Sequence, residues 1–184
     1  MSYLSPDRKL NPDHVRMFID IVSKGEFYRM LGMRITDLRV GLCEAEVDVA
    51  PRLLNSFGGI HGGVYASILD TVTYLAMYGE VDEHEGYATL DLVVNDLKSV
   101  NSGTIVARAK PVRSGRHILL AEAEIRSEAG SLLATGTSKM FKAPNVQPLE
   151  QMLKYHQIDE PFPPKFVKKP AIVNPGRAST ALGA

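Results

Sequence analysis

Residues 42–49 alternate, with Cys43, Ala45, Val47 and Val49 set against Leu42, Glu44, Glu46 and Asp48. That period of two marks a half-buried strand, and Pro51 ends it. Upstream, Val15, Phe18, Ile19 and Val22 recur at the spacing of one helical face within residues 13–24, with Gly25 placed to close the helix. Residues 62–78 form the most apolar stretch of the chain. The run is shorter than the ~20 residues a bilayer demands and contains Asp70, so it predicts a buried helix and not a membrane span. Four strand-like segments follow, at 88–97, 104–112, 117–126 and 132–142. Asn101-Ser102-Gly103, Ser114-Gly115 and Ala129-Gly130 stand at their junctions, which favours antiparallel hairpins.

The order helix, strand, long apolar helix, strand meander predicts an α+β fold in which an antiparallel sheet wraps one central helix. A parallel nucleotide-binding fold would need helices between the later strands, and there is no room for them. Seven of the eleven prolines fall after Phe141. The segment they mark reads as an extended appendage lying on a neighbouring surface, with one short helix near 149–156. No repeat of solenoid length is present.

Composition narrows the function. With 184 residues, 45% of them hydrophobic, the chain can bury a proper core. Lys+Arg and Asp+Glu are both 21, so no net field would gather nucleic acid or an anionic membrane surface, and neither is expected as a partner. Cys43 is the single cysteine, which excludes an internal disulfide framework. Residues 1–11 show no basic patch followed by a long apolar run, and a cytoplasmic setting is expected.

The chemistry-bearing feature is Asp70, the only formal charge between Arg52 and Glu80. A carboxylate in apolar surroundings costs several kcal/mol unless partnered or neutralised. On a helix beginning near Gly62, Asp70 shares a stripe with Ser67, Thr71, Tyr74 and Tyr78, while Val64, Ile68, Val72, Leu75 and Ala76 line another. A stripe without lysine, arginine or glutamate reads as a lined cavity or a subunit interface. Asp70 is then either a chemical group or a structural acceptor for its neighbours. His61-Gly62-Gly63 falls where loop becomes helix, and unpaired N–H groups there stabilise a developing oxyanion. Gly62 admits a carbonyl to the main chain and Asn55 offers an amide donor; the alternative is that these glycines only allow a tight turn and close packing.

At 1.5 Å rise per residue, Asp70 lies ~12 Å along the axis from Gly62 and points to a different side. One chain cannot bring both to one carbonyl. Cooperation requires two chains, with helices passing antiparallel at a twofold axis.

Asn55, His61-Gly62-Gly63 and Asp70, with the carboxylate nine residues after the histidine, resemble the hotdog-fold acyl-CoA thioesterases of the phenylacetate-degradation type. Phe27–Gly32 resembles that family's lead into its first strand, Thr89-Leu90-Asp91 its second-strand signature and Ala134-Thr135-Gly136 its last strand. The resemblance implies a hotdog fold over residues 27–142, a helical lead over 1–26 and a proline-rich extension over 143–184. It implies that Asp70 acts as general base or nucleophile on a thioester, that the Gly62 amide holds the carbonyl oxygen with Asn55 assisting, and that His61 orients the loop. It further implies that Thr89 holds the attacking water and that dimers, often paired into tetramers, carry the site. No cofactor is expected, because coenzyme A is part of the substrate.

Gly63, Thr71 and Tyr74 are candidate substrate contacts. Leu53, Leu54, Phe57, Tyr65 and Leu69 are, with Tyr74, candidate linings of an acyl pocket. Arg113, Ser114, Gly115 and Arg116 at a hairpin suit phosphates through charge-assisted hydrogen bonds, with Lys98 joining them; the resembling enzymes place the nucleotide near that turn. No G-x-S-x-G elbow and no G-x-x-x-x-G-K-[ST] loop is present. The five histidines lie far apart with no paired cysteine, so no metal is expected. Two rivals remain. An enoyl-CoA hydratase of this fold would resemble an Asp-x-x-x-x-His pair, but no histidine follows Asp70 on the helix. An acyl-CoA sensor would resemble a hotdog joined to a helix-turn-helix, for which the residues before Gly25 are too few.

Overall fold

The computed structural model describes residues 8–144 and 146–168. Six strands form one antiparallel sheet: β2 (Met33–Arg39), β3 (Leu42–Asp48), β4 (Gly86–Asp96), β5 (Thr104–Ser114), β6 (Ile118–Ser127) and β7 (Leu132–Ala143), in the spatial order β2-β3-β5-β6-β7-β4. Helix α3 (Gly62–Tyr78) packs across it. The expected α+β hotdog architecture is therefore what the chain adopts. Ile68, Leu69 and Val72 of α3 are fully buried against Ala45, Val47, Ile105 and Ile125 of the sheet. Each such large side chain stabilises the fold by about 1.5–3 kcal/mol.

Gly136 permits the close approach of helix and sheet. A Cβ there would stand 3.1 Å from Leu69 Cδ1 and 3.3 Å from the Val93 carbonyl. At the turns, Gly103 and Gly130 take φ of +86° and +81°, the left-handed region that glycine enters at little cost.

Helix α1 (Pro12–Val22) forms within one or two residues of the expected 13–24, with Asn11 accepting the Asp13 amide at 3.1 Å and Pro12 in the first turn, but Ser23 caps its end and Gly25, expected to close it, precedes the next helix as its N-cap. Three features carried no readable pattern. Helix α2 (Glu26–Leu31) has six residues, too few to show a period. Strand β2 loses its alternation at a bulge between Ile35 and Asp37. Strands β1 (Arg8–Leu10) and β8 (Phe166–Lys168) have three residues each and pair antiparallel across the length of the chain.

The proline-rich segment carries the short helix expected near 149–156, but its described part folds back on its own domain instead of running as an extended appendage. After helix α4 (Leu149–Tyr155) the chain returns so that Asn11 Nδ2 donates to the Pro164 carbonyl and His14 Nδ1 meets the Pro163 carbonyl at 2.6 Å. Leu149, Met152, Phe162 and Phe166 pack against the main core. Pro170 and Pro175 lie outside the described residues. No described helix is long and apolar enough to cross a membrane.

Candidate functional site

Among the described residues strand β4 is an edge of the sheet, and α3 runs alongside it in the opposite direction. Tyr87 and Thr89 face the helix. A bulge between Thr89 and Asp91 then reverses the parity, so that Leu92 and Val94 pack inward and Asp96 reaches the helix start. One irregularity thus aims both ends of β4 at α3.

Asp70 meets Thr89 there: the threonine hydroxyl donates to Asp70 Oδ1 at 2.9 Å. The carboxylate is half-buried and Thr89 is exposed. Asp70 is therefore not enclosed by apolar side chains as its sequence setting suggests, because the unpaired edge of β4 leaves it open. The other hydroxyls of the stripe are spent elsewhere. Ser67 donates to the Gly63 carbonyl at 2.8 Å and Thr71 to the Ser67 carbonyl at 2.9 Å, the preceding-turn bond always within reach of a helical serine or threonine. Tyr78 leaves the stripe, sealed between Phe18 and His14. Tyr28 enters it, its hydroxyl against Thr71 and close to Asp70. No local pattern marks Tyr28, since it reaches the site only through the fold.

At the helix start His61 Nδ1 accepts the Gly63 amide at 2.8 Å, and the His61 amide donates to the Leu53 carbonyl. The ring is an N-cap with its acceptor nitrogen occupied. Asn55 Oδ1 accepts from Phe57 at 2.8 Å and Gly59 at 3.4 Å, and Nδ2 donates to the Ile60 carbonyl at 3.4 Å. Asn55 therefore shapes the loop, with one long bond on its amide nitrogen. Gly62 faces the Asp96 carboxylate, which lies where a Cβ would stand. Sequence reasoning missed Asp96, which only the parity change in β4 brings to the helix end.

The expected phosphate cluster divides. Arg113 and Arg116 are exposed at the β5–β6 turn, whereas Ser114 is buried and donates to the Glu80 carbonyl, and Gly115 is buried as well. Lys98 stands at the other end of the sheet, its amide bonded to Leu133, while the arginine turn lies beside Phe141. Residues 133 and 141 stand eight positions apart along β7, or ~26 Å at the rise of a strand. Lys98 therefore does not join the arginines of its own chain. Of the expected acyl-pocket residues, Leu53, Tyr65 and Leu69 are core, and Phe57 is 97% exposed on the loop. Burial pushes the Cys43 thiol up to about 12, so it stays protonated and is no nucleophile. Among the described residues no group of three or more His, Cys, Asp or Glu side chains is placed to hold a metal.

An antiparallel sheet wrapped on one long helix defines a protein of the hotdog class. The family model described as the thioesterase superfamily matches residues 57–134. A protein of Haemophilus influenzae provisionally named an esterase is 34% identical over 102 residues, 55% of this chain and 74% of its own. The proofreading thioesterase EntH of Klebsiella pneumoniae is 30% identical over 105 residues, 57% of this chain and 77% of its own. The crystal structure of a Haemophilus influenzae thioesterase superposes with a TM-score of 0.65 at 28% identity, covering 69% of this chain and 88% of that one. The chain belongs to the thioesterase superfamily and is a hotdog-fold hydrolase.

Proposed function

We propose that the protein hydrolyses acyl-CoA thioesters in a site shared by two copies of the chain. The observation that carries this is the Thr89–Asp70 bond at an open strand edge. With its proton given to Asp70, the Thr89 oxygen is left as an acceptor, so a water at this place donates one hydrogen to Thr89 and the other to the second carboxylate oxygen. The water oxygen attacks the thioester carbon and its proton passes to Asp70. The oxyanion is held by a Gly62 amide, and collapse expels the coenzyme A sulfur, which takes up the proton.

The free edge of β4 supports the second copy. Leu90, Val93 and Leu97 are 60%, 54% and 57% exposed there, an apolar rim on unpaired backbone that invites strand addition. Antiparallel pairing about a twofold through residue 93, with residue 90 as the extra residue of the bulge, sets position 89 of one strand opposite 96 of the other. Each Asp70–Thr89 pair then faces the Gly62 end of its mate, the juxtaposition a single chain cannot make. Asp96 competes for that positive helix end, and a carbonyl reaches the Gly62 amide once this carboxylate turns aside on its exposed strand terminus. Arg113 and Arg116 supply cations for the phosphates of the coenzyme arm.

The test is thiol release from a panel of acyl-CoAs by wild type and Asp70→Asn, alongside sedimentation. Turnover by a dimer, abolished by the substitution without loss of the dimer, supports the reading. Full turnover by Asp70→Asn, or by a monomer, refutes it.

A further inference from the structure

A cleft of about 650 Å³ opens one helical turn beyond Asp70, on the side away from Gly62. One wall is Tyr28 and Tyr74, whose phenols both feel the charge of Asp70. Tyr74 stacks on Tyr87 at 4.3 Å between centroids, and the Tyr87 hydroxyl donates to the Tyr74 carbonyl at 2.9 Å. This pair repeats the Thr89–Asp70 contact one rung further along, because positions 87 and 89 share a face of β4 while 70 and 74 share a face of α3. Deeper in, the lining is Phe18, Val22 and Leu75.

The opposite wall is not part of the family domain. It is built by residues 146–156, outside the 57–134 match, with Gln147, Leu149 and Met152 turned toward the cleft. Three observations show that this segment is fixed in place. Tyr74 donates its hydroxyl proton to Gln147 Oε1 at 2.8 Å, and burial keeps that phenol protonated. Gln147 is held at φ +45°, a conformation that side chains other than glycine adopt at a cost. The Val146 carbonyl occupies the space a Cβ at Gly86 would need. An appended segment held this way, at the price of local strain, shapes the cleft and does more than cover the core.

We infer that this cleft takes the acyl part of the substrate, and that the 146–156 segment sets its size, selecting bulky apolar acyl groups of the medium-chain or arylalkanoyl kind over acetyl. The inference rests on the thioesterase reading for its chemistry and on the cleft alone for its binding. The volume lies within the range of pockets that bury most of a small apolar ligand. A carbonyl at Asp70 and Thr89 lies ~6 Å from the Tyr74 wall along the helix, so an acyl chain running past that ring enters the cleft within a few carbons. The aromatic and aliphatic part of the lining rewards apolar area and gains little from a two-carbon group, while Glu83, Glu85, Glu150 and Lys165 make the rest of the lining polar.

The experiment fills the cleft from the appended side. Met152→Trp and, separately, Leu149→Trp are compared with wild type for the ratio of kcat/KM on octanoyl-CoA or phenylacetyl-CoA to that on acetyl-CoA. Titration calorimetry with free octanoate and phenylacetate is run beside them, and circular dichroism verifies that each variant is folded. The inference expects the ratio to fall at least about tenfold in a folded variant, as losing burial of a few methylenes requires, and acid binding to weaken in parallel. Ratio and acid binding both unchanged in folded variants overturn it. A wild type that hydrolyses no acyl-CoA refutes the thioesterase reading separately, and the cleft is then judged by acid binding: weaker in the tryptophan variants if it is the apolar site, the same if it is not.

Discussion

The two halves of α3 are treated oppositely by the fold. From Gly62 to Asp70 the helix presents Gly62, Gly63, Ser67 and Asp70 at half-buried or exposed positions, beside the unpaired edge of β4. From Thr71 to Glu80 every residue except Tyr74 is buried. The covering comes from chain ends brought in from afar: Phe18 stacks on Tyr78 at 4.2 Å, His14 Nε2 meets the Tyr78 hydroxyl at 2.6 Å, and Lys165 lies 4.0 Å over the Tyr78 ring. A uniform core helix would be closed at both ends. Leaving one end bare while sealing the other sets Asp70 and Gly62 where the proposed second chain would complete the site, and leaves the far side to the appended segments.

The most forceful way to break this comparison is Asp70→Asn. The carboxamide keeps the shape and the Thr89 contact but cannot accept the water proton, and general-base loss predicts a fall in kcat of about 10²–10⁴-fold. Thiol release measures it, and a melting temperature within a few degrees of wild type shows that the bare half of the helix is spared for function and not for stability. Next in size is the interface. Val93→Asp puts two like charges close together across the proposed twofold while leaving an exposed residue exposed in the free chain, and such repulsion costs several kcal/mol. Sedimentation should show the dimer weakened at least about a hundredfold, with activity following the dimer fraction. An active Val93→Asp monomer would mean that the open half of α3 needs no partner.

Thr89→Ala is milder. It removes one hydrogen bond to a charged acceptor, worth about 1.5–3 kcal/mol when formed, and an anchor for the water. The expected loss is about tenfold or somewhat more in kcat, with KM nearly constant. Thr89→Ser should restore most of it, since the hydroxyl returns. A serine variant as slow as the alanine would point to packing by the threonine methyl.

The open half was the more legible in the sequence. Asn55, His61, Gly62 and Asp70 are close along the chain, so their spacing alone carries the loop-to-helix geometry and the ~12 Å separation on which the proposal of two chains rests. The strands of the meander were readable because turn glycines punctuate them. The sealed half gave almost no signal: Lys165 reaches Val81, and Arg8 pairs with Lys168, across most of the chain, and three-residue strands have no period to detect. Ser114 and Lys98 illustrate the same limit. A polar residue at a turn looks available in one dimension, and only packing reveals that the serine faces inward and that the lysine stands at the far end of the sheet.

The sealed half responds to pH, and the response acts on stability, not on turnover. Lys165 is nearly inaccessible, donating to the Val81 carbonyl at 2.8 Å, and burial lowers its pKa to about 7 from an ordinary 10.5. Between those values the unfolded chain binds a proton that the folded chain does not, so stability rises with pH across the window. The contribution is fully present above 10.5 and is lost as pH falls through 7. His14, also held below its ordinary 6.5 chiefly by burial, extends the loss to more acid conditions with the same sign. Calorimetric melting at steps from pH 6 to 10 should show the wild type stabilised with rising pH. Lys165→Met, which fills the same space without a charge, should flatten that slope above pH 7 and leave the part due to His14. Equal slopes in the two proteins would show that the lysine stays protonated in the folded chain, held by Asp82, Glu83 and Glu85, the acidic groups that oppose its burial. The covering of the C-terminal half of α3 would then be an ionic clasp, not the neutral plug that its accessibility implies.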